Sequence, residues 1–85
     1  MGYSVEFRPS ALKALRHIAP SNRARISKAI EALAENPNPA GSKKLADEDG
    51  FWRIRAGDYR VIYTVIQKRL VVTVVRIGHR REVYR

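Results

Sequence analysis

The side chains of this 85-residue chain best suited to chemistry are cationic, and they crowd into its second half. Arg53 and Arg55 are two apart, and Arg60 follows beyond a Gly57-Asp58 pair. Arg76, Arg80 and Arg81 come later, interleaved with His79, Glu82 and Tyr84, while Lys43 and Lys44 precede the group. Guanidinium groups bind phosphate oxygens in bidentate fashion. Clustered on one surface, they can hold a phosphodiester and neutralise the charge that develops as it reacts.

The overall charge agrees. Seventeen Lys/Arg stand against eight Asp/Glu, for a net charge of +9. Residues 1–42 carry six cations and three acids, and residues 43–85 carry eleven and five, so the excess is +3 and then +6. Charge of this size on a small domain points to a phosphate-rich partner or an acidic protein. The plain alternative is a solvated basic surface that adheres to any polyanion.

Arginine is a poor base, with a pKa above about 12, so any proton transfer needs other groups. His79 is the one group of the terminal stretch with an unperturbed pKa near neutrality, and it reads equally well as a turn or edge histidine. Tyr84 can stack on a base or donate a proton, or it can anchor the chain end to the protein. Glu82 is a base or the partner of Arg81. His17 falls on a helix away from this stretch and is read as surface. Proton transfer therefore rests on His79, Tyr84 or Glu82, on water, or on a partner.

Composition removes several classes. With no cysteine there is neither a disulfide framework nor a Cys-based zinc site. Two histidines far apart in sequence do not make a His-rich metal site, and no metal or cofactor is expected. Hydrophobic content of 45% fits a globular chain, and the length fits one domain over residues 1–85. The first 20 residues lack a secretory signature. The longest apolar run, residues 70–75, is too short for a bilayer. A soluble cytoplasmic protein without membrane contact is the expectation.

Positioning the cations falls to the following elements. Tyr3-Ser4-Val5-Glu6-Phe7 alternates as a half-buried strand does, and Arg8-Pro9-Ser10 ends it. A helix is predicted over residues 9–18, with Leu12, Leu15 and Ile18 on one side. A second is predicted over residues 22–35, capped by Ser21, with Ile26, Ala29, Ile30 and Leu33 forming a stripe. A short link makes the two a helical hairpin, which needs a sheet to pack on. Lys43-Lys44-Leu45 is read as a brief strand and Asp47-Glu48-Asp49-Gly50 as an acidic turn. Gly57-Asp58 then suits a two-residue hairpin loop. That register sets Ala56 opposite Tyr59, Arg55 opposite Arg60, Ile54 opposite Val61, Arg53 opposite Ile62 and Trp52 opposite Tyr63. Opposed residues share a face, so Trp52, Ile54, Ala56, Tyr59, Val61 and Tyr63 face the helices, and the three arginines face away. A third strand is predicted over residues 70–77. A three-residue loop before it would turn Val71, Thr73, Val75 and Ile77 to the helices and set Arg76 opposite Arg60. A two-residue loop would bury Arg76, and an unpaired buried guanidinium is expensive. The first is preferred, which leaves Ile62, Val72 and Val74 as an apolar strip beside the arginines.

The fold class is thus α+β: an N-terminal strand, a helical hairpin and a three-stranded antiparallel meander, with the helices on one face. In that order of elements the chain resembles the RelE/ParE toxin superfamily of type II toxin–antitoxin modules, in its RelE-like branch. The carriers are Phe51-Trp52-Arg53-Ile54-Arg55, Tyr59-Arg60-Val61-Ile62-Tyr63 and Ile77-Gly78-His79-Arg80-Arg81-Glu82-Val83-Tyr84-Arg85. The early Leu12…Leu15 helix and the Lys44-Leu45 step also fit. The resemblance implies a bacterial or archaeal mRNA interferase, a ribosome-dependent endoribonuclease that inhibits translation and is neutralised by a cognate antitoxin. Its partners would be mRNA on the ribosome, ribosomal RNA and that antitoxin. Carried over by position, Arg53, Arg55, Arg60, Arg80 and Tyr84 match the functional groups of the RelE-like nucleases, and Lys44 matches a further basic position. His79 is added as a candidate proton carrier, and Lys43, Lys44, Arg76 and Arg81 as RNA-binding cations. Here the strand pair is Arg-Arg where well-known RelE toxins carry lysines, and the sequence ends right after Tyr84, without the C-terminal helix of some relatives. In such a reaction the neighbouring 2′-OH attacks the phosphodiester without a metal, and cations meet the phosphorane charge. The competing readings are a ParE-like inhibitor of DNA gyrase and a non-catalytic RNA- or antitoxin-binding module.

Overall fold

The computed structural model describes residues 2–45 and 50–79. The elements run β1 (Ser4–Phe7), α1 (Pro9–Arg16), α2 (Pro20–Glu35), β2 (Lys43–Lys44), β3 (Phe51–Ala56), β4 (Tyr59–Ile66) and β5 (Val71–His79). All five strands join one sheet, in the order β1-β5-β4-β3-β2. β3, β4 and β5 form the predicted antiparallel meander. The N-terminal strand closes the sheet at the other edge by pairing parallel to β5, Phe7 against Val74.

Both helices start on proline, whose missing N–H is not needed in a first turn. This corrects the expected Ser21 cap. Pro20 is already helical, Ala19 holds the N-cap position, and no side chain caps that end. α1 is also shorter than predicted, ending at Arg16, although Ile18 is still buried. α1 lies against β5, and α2 against β3, β1 and β4. The core between helices and sheet contains Ala11, Leu15, Ile18, Ile26, Ile30 and Leu33 from the helical half. Ile54, Ala56, Val61, Tyr63, Val72, Val74 and Ile77 meet them from the sheet. Tyr63 is fully buried, and its hydroxyl donates to the Pro37 carbonyl at 2.7 Å, which ties the sheet to the chain just beyond α2.

The predicted β3–β4 register is the observed one, pair for pair. Gly57 turns the hairpin at φ +64, and a Cβ there would lie 2.9 Å from Nη1 of Arg25, which reaches across from α2. The third strand departs from expectation. Four residues, Gln67 to Leu70, separate β4 from β5, so Ile66 pairs with Val71. A bulge then falls where Tyr63 pairs with Val74 and Ile62 with Arg76, which leaves Val75 as the extra residue. Val72 and Val74 therefore face the helices, fully buried, and Val71, Thr73 and Val75 do not fill the core as predicted. Without the bulge, Val61 would pair with Arg76 and draw its guanidinium into the core, an expensive burial. With it, Val74 and Ile77 both stay inside and Arg76 stays exposed. Of the expected far-face strip, Ile62, Val72 and Val74, only Ile62 stays there, buried but outside the helix-side cluster, and Ile66, Val71 and Val75 take the places of the two valines on that side of the sheet.

Leu70 ends the β4–β5 turn at φ +54, with its side chain half exposed. A left-handed conformation at a residue with a Cβ costs about 1–2 kcal/mol, and branching at Cβ worsens it. Leu70→Gly is therefore expected to exceed Leu70→Val in stability by about 1–2 kcal/mol, as read by chemical denaturation. Equal midpoints would show that the turn relaxes out of this conformation.

Candidate nucleic-acid interface

The register sorts the candidate residues by face. Across the sheet away from the helices, one row reads Lys43, Arg53, Ile62 and Arg76, each the Cα partner of the next. The adjoining row reads Arg55, Arg60 and Gly78. Neighbouring strands are about 4.8 Å apart, so five cations from four strands share one end of one face. Gly78 adds no side chain beside Arg60, which leaves that row open on the β5 side.

The arginines are not equivalent. The Nε atoms of Arg53 and Arg60 are sealed from solvent. Their stems therefore lie along the sheet among neighbours, with the inner nitrogen of each guanidinium kept from water. Arg55 is exposed. It borders a hollow of about 370 Å³ at the β3 edge, lined also by Ala29, Ala32, Pro39, Ala40, Gly41 and Ile54. β2 pairs with Arg53 and Trp52, and among the described residues no strand pairs with Ile54 and Arg55 on that edge. Arg55 and Arg60 are direct Cα partners, and like charges so placed destabilise a sheet by up to about 1 kcal/mol. A bound polyanion would remove that penalty. Fixed cations in a partly desolvated setting are also what stabilises a developing negative charge, because they need no reorganisation as the reaction proceeds.

Other candidates fall elsewhere. His79 is the Cα partner of Tyr59, one of the aromatics packed against the helix-side core, and the two rings meet edge to face at 5.7 Å and 79°. Parity thus places His79 on the helix face, across the sheet from Arg53 and Arg60. Lys44 pairs with Trp52 and also belongs to the helix side, so of the two lysines it is Lys43 that joins the arginine row. His17 is exposed on α1, and its Nδ1 donates to the Lys13 carbonyl at 2.8 Å. Arg80, Arg81, Glu82 and Tyr84, and the acidic residues 47–49, lie outside the described residues. Among the described residues no three His, Cys, Asp or Glu side chains come together as a metal site, and no helix is long and apolar enough to cross a membrane.

A further cationic feature was not anticipated. A cleft of about 290 Å³ opens beside Arg76, lined by Arg8, Ser10, Ala11, Val75 and Ile77. The sequence reading took Arg8 only as the end of a strand. Its place beside β5 follows from the parallel β1–β5 pairing, with the Arg8 N–H donating to the Val74 carbonyl at 2.9 Å. Nothing local in the sequence announces that pairing.

Comparison with known proteins agrees with this architecture. Residues 5–84 match the family model described as the ParE toxin of type II toxin–antitoxin systems. The chain is 32% identical to the putative toxin RelE1 of Methanocaldococcus jannaschii, over all of this chain and 98% of that protein. It is 31% identical to the mRNA interferase toxin RelE of Escherichia coli K12, over 99% of this chain and 92% of that one. The archaeal RelE–RelB complex of Pyrococcus horikoshii OT3 contains a chain that superposes with a TM-score of 0.83 at 29% identity, covering 96% of this chain and 99% of that one. The protein described here therefore belongs to the ParE toxin family of type II toxin–antitoxin systems and, within it, is a RelE-like toxin.

Proposed function

We propose that this toxin is an endoribonuclease that cuts messenger RNA on the ribosome, and that the face carrying Arg53, Arg55 and Arg60 is where the phosphodiester reacts. The observation that carries the reading is the shared face of those arginines, with the inner nitrogens of two of them sealed against the sheet. Its RelE-named relative from Escherichia coli is an mRNA interferase, which supports the same activity here. In this reading the 2′-OH of the neighbouring ribose attacks phosphorus and the 5′ oxygen leaves. Arg53 and Arg60 hold the non-bridging oxygens as charge accumulates, and Arg55 and Lys43 guide the strand from the open edge. Arg80 and Tyr84, matched to the family by sequence, are assigned to the same reaction. Tyr84 stacks on a base or protonates the leaving group. The position of His79 across the sheet favours Tyr84, Glu82, water or the ribosome as the proton carriers.

A cognate antitoxin is part of the proposal, in line with the pairing of RelE with RelB in the Pyrococcus complex. An acidic, amphipathic segment suits a surface of this charge. The ParE name of the matching family model keeps gyrase inhibition as the second reading. One experiment separates them: expression with and without the antitoxin, followed by mapping of RNA ends and by a gyrase supercoiling assay. New RNA ends, with supercoiling intact, are the expected outcome. Lost supercoiling with intact message would replace this reading by the second.

A further inference from the structure

The geometry points to a second phosphate-binding subsite in the cleft between α1 and β5, which holds a backbone phosphate of the same RNA away from the one that reacts. The inference rests on the RNA-cleaving reading and extends it to Arg8, Ser10 and Arg76.

Two guanidinium-bearing residues, Arg8 and Arg76, line one open hollow of about 290 Å³ together with Ser10, and among the described residues its lining carries no acid. Arg8 belongs to the chain leaving β1 and Arg76 to the neighbouring strand β5. Such an arrangement suits a phosphate group held by two forked donors. The surroundings reinforce it. Arg8 holds the N-cap position of α1 without capping it, and the first turn carries no acid. A cation at the positive end of a helix is unfavourable on its own, and an anion between them reverses the sign of both interactions.

The bulge ties the cleft to the arginine face. It keeps Arg76 off the helix side, and the extra residue, Val75, lines the cleft itself. Bulges commonly re-aim a side chain beside a functional site. Arg76 then lies in the row that begins at Lys43 and Arg53, two strands from Arg53, or roughly 10 Å. A strand of RNA held at Arg53 and Arg60 and running across the sheet reaches the cleft within a few nucleotides. That continuity favours RNA over an acidic peptide as the occupant.

The test uses the full chain and a single-stranded RNA blocked from cleavage by 2′-O-methyl groups, with affinity measured by fluorescence anisotropy over a range of salt. Arg8→Ala and Arg76→Ala are each expected to weaken binding about tenfold and to reduce the slope of log affinity against log salt by about 0.7. Arg76→Lys should keep the slope, and a dinucleotide too short to reach the cleft should bind wild type and Arg8→Ala alike. Arg8 is exposed outside any strand, so its variant carries the test should Arg76→Ala fail to fold. Unchanged affinity and slope in the cleft variants, with binding lost in Arg53→Ala, would overturn the subsite and leave the RNA reading standing. Intact RNA binding with lost affinity for an acidic antitoxin segment would also overturn it and assign the cleft to the protein partner. Failure of the wild type to bind RNA at all would overturn the subsite, and the fate of the RNA-cleaving reading is then read from message on the ribosome.

Discussion

Replacing Arg60 by alanine is expected to slow RNA cleavage by about 10²–10³-fold, the usual loss when one preorganised stabiliser of developing charge is removed. The same change should leave folding stability within about 1 kcal/mol of wild type, because it relieves the like-charge pair that Arg60 makes with Arg55. The stem of Arg60, whose Nε is sealed from solvent, gives back part of that gain as lost packing. Activity and stability therefore separate, as they should for a residue retained for function. Arg53→Ala should behave in the same way. Arg60→Lys should recover only part of the rate, since an ammonium keeps the charge but not the bidentate fork. Single-turnover cleavage of bound RNA and chemical denaturation of each variant make the comparison. A variant that is inactive because it is unfolded would place Arg60 with the structural residues.

The largest effect on stability is expected at Tyr63, at the centre of β4. Its ring is fully buried, and its hydroxyl donates to the Pro37 carbonyl beyond α2. Tyr63→Ala removes both the ring and the tie, and loss of a buried aromatic costs about 3–5 kcal/mol. Domains of this kind have about 5–15 kcal/mol in total, so the variant should lose about a third or more of its stability at the middle of that range and unfold at a much lower denaturant concentration. Tyr63→Phe keeps the packing and loses only the hydrogen bond, for about 1 kcal/mol. Burial pushes the Tyr63 hydroxyl above its ordinary value of 10.0, opposed in part by a hydrogen bond from Ser42. A group whose pKa is raised in the folded state contributes stability that is complete below the unfolded value and lost as pH rises through the folded one. Wild type should therefore lose stability above about pH 10 more steeply than Tyr63→Phe does. Identical alkaline limbs would mean that the phenol ionises as readily folded as unfolded.

Much of this molecule is legible in the sequence because the period of a strand is two. Once Gly57-Asp58 is taken as a two-residue loop, every β3–β4 pair follows, and with it the separation of Arg53, Arg55 and Arg60 from Trp52, Ile54 and Tyr63. The same logic fails one strand later, since a single extra residue reverses parity. Residues 70–75 are nearly all apolar, so no alternation marks where Val75 drops out of register. Arg76 does stay out of the core, as the cost of burying a guanidinium requires, but the device that keeps it out is the bulge rather than the loop length. His79 illustrates the cost of that missing residue. Its neighbours in sequence place it in a cationic motif, yet its pairing with Tyr59 sends it to the helix face. The Arg8 cleft was illegible for another reason, because parallel pairing of β1 with β5 is a long-range contact with no local signature.

Mapping RNA ends by primer extension on a translating message decides whether the arginine face cleaves RNA on the ribosome. Wild-type protein should produce new breaks within codons at the ribosome's decoding position, and Arg53→Ala and Arg60→Ala proteins, folded as wild type, should produce about 10²–10³-fold fewer in the same time. Breaks at the wild-type rate in both variants, or a message left intact by wild type, would contradict that role.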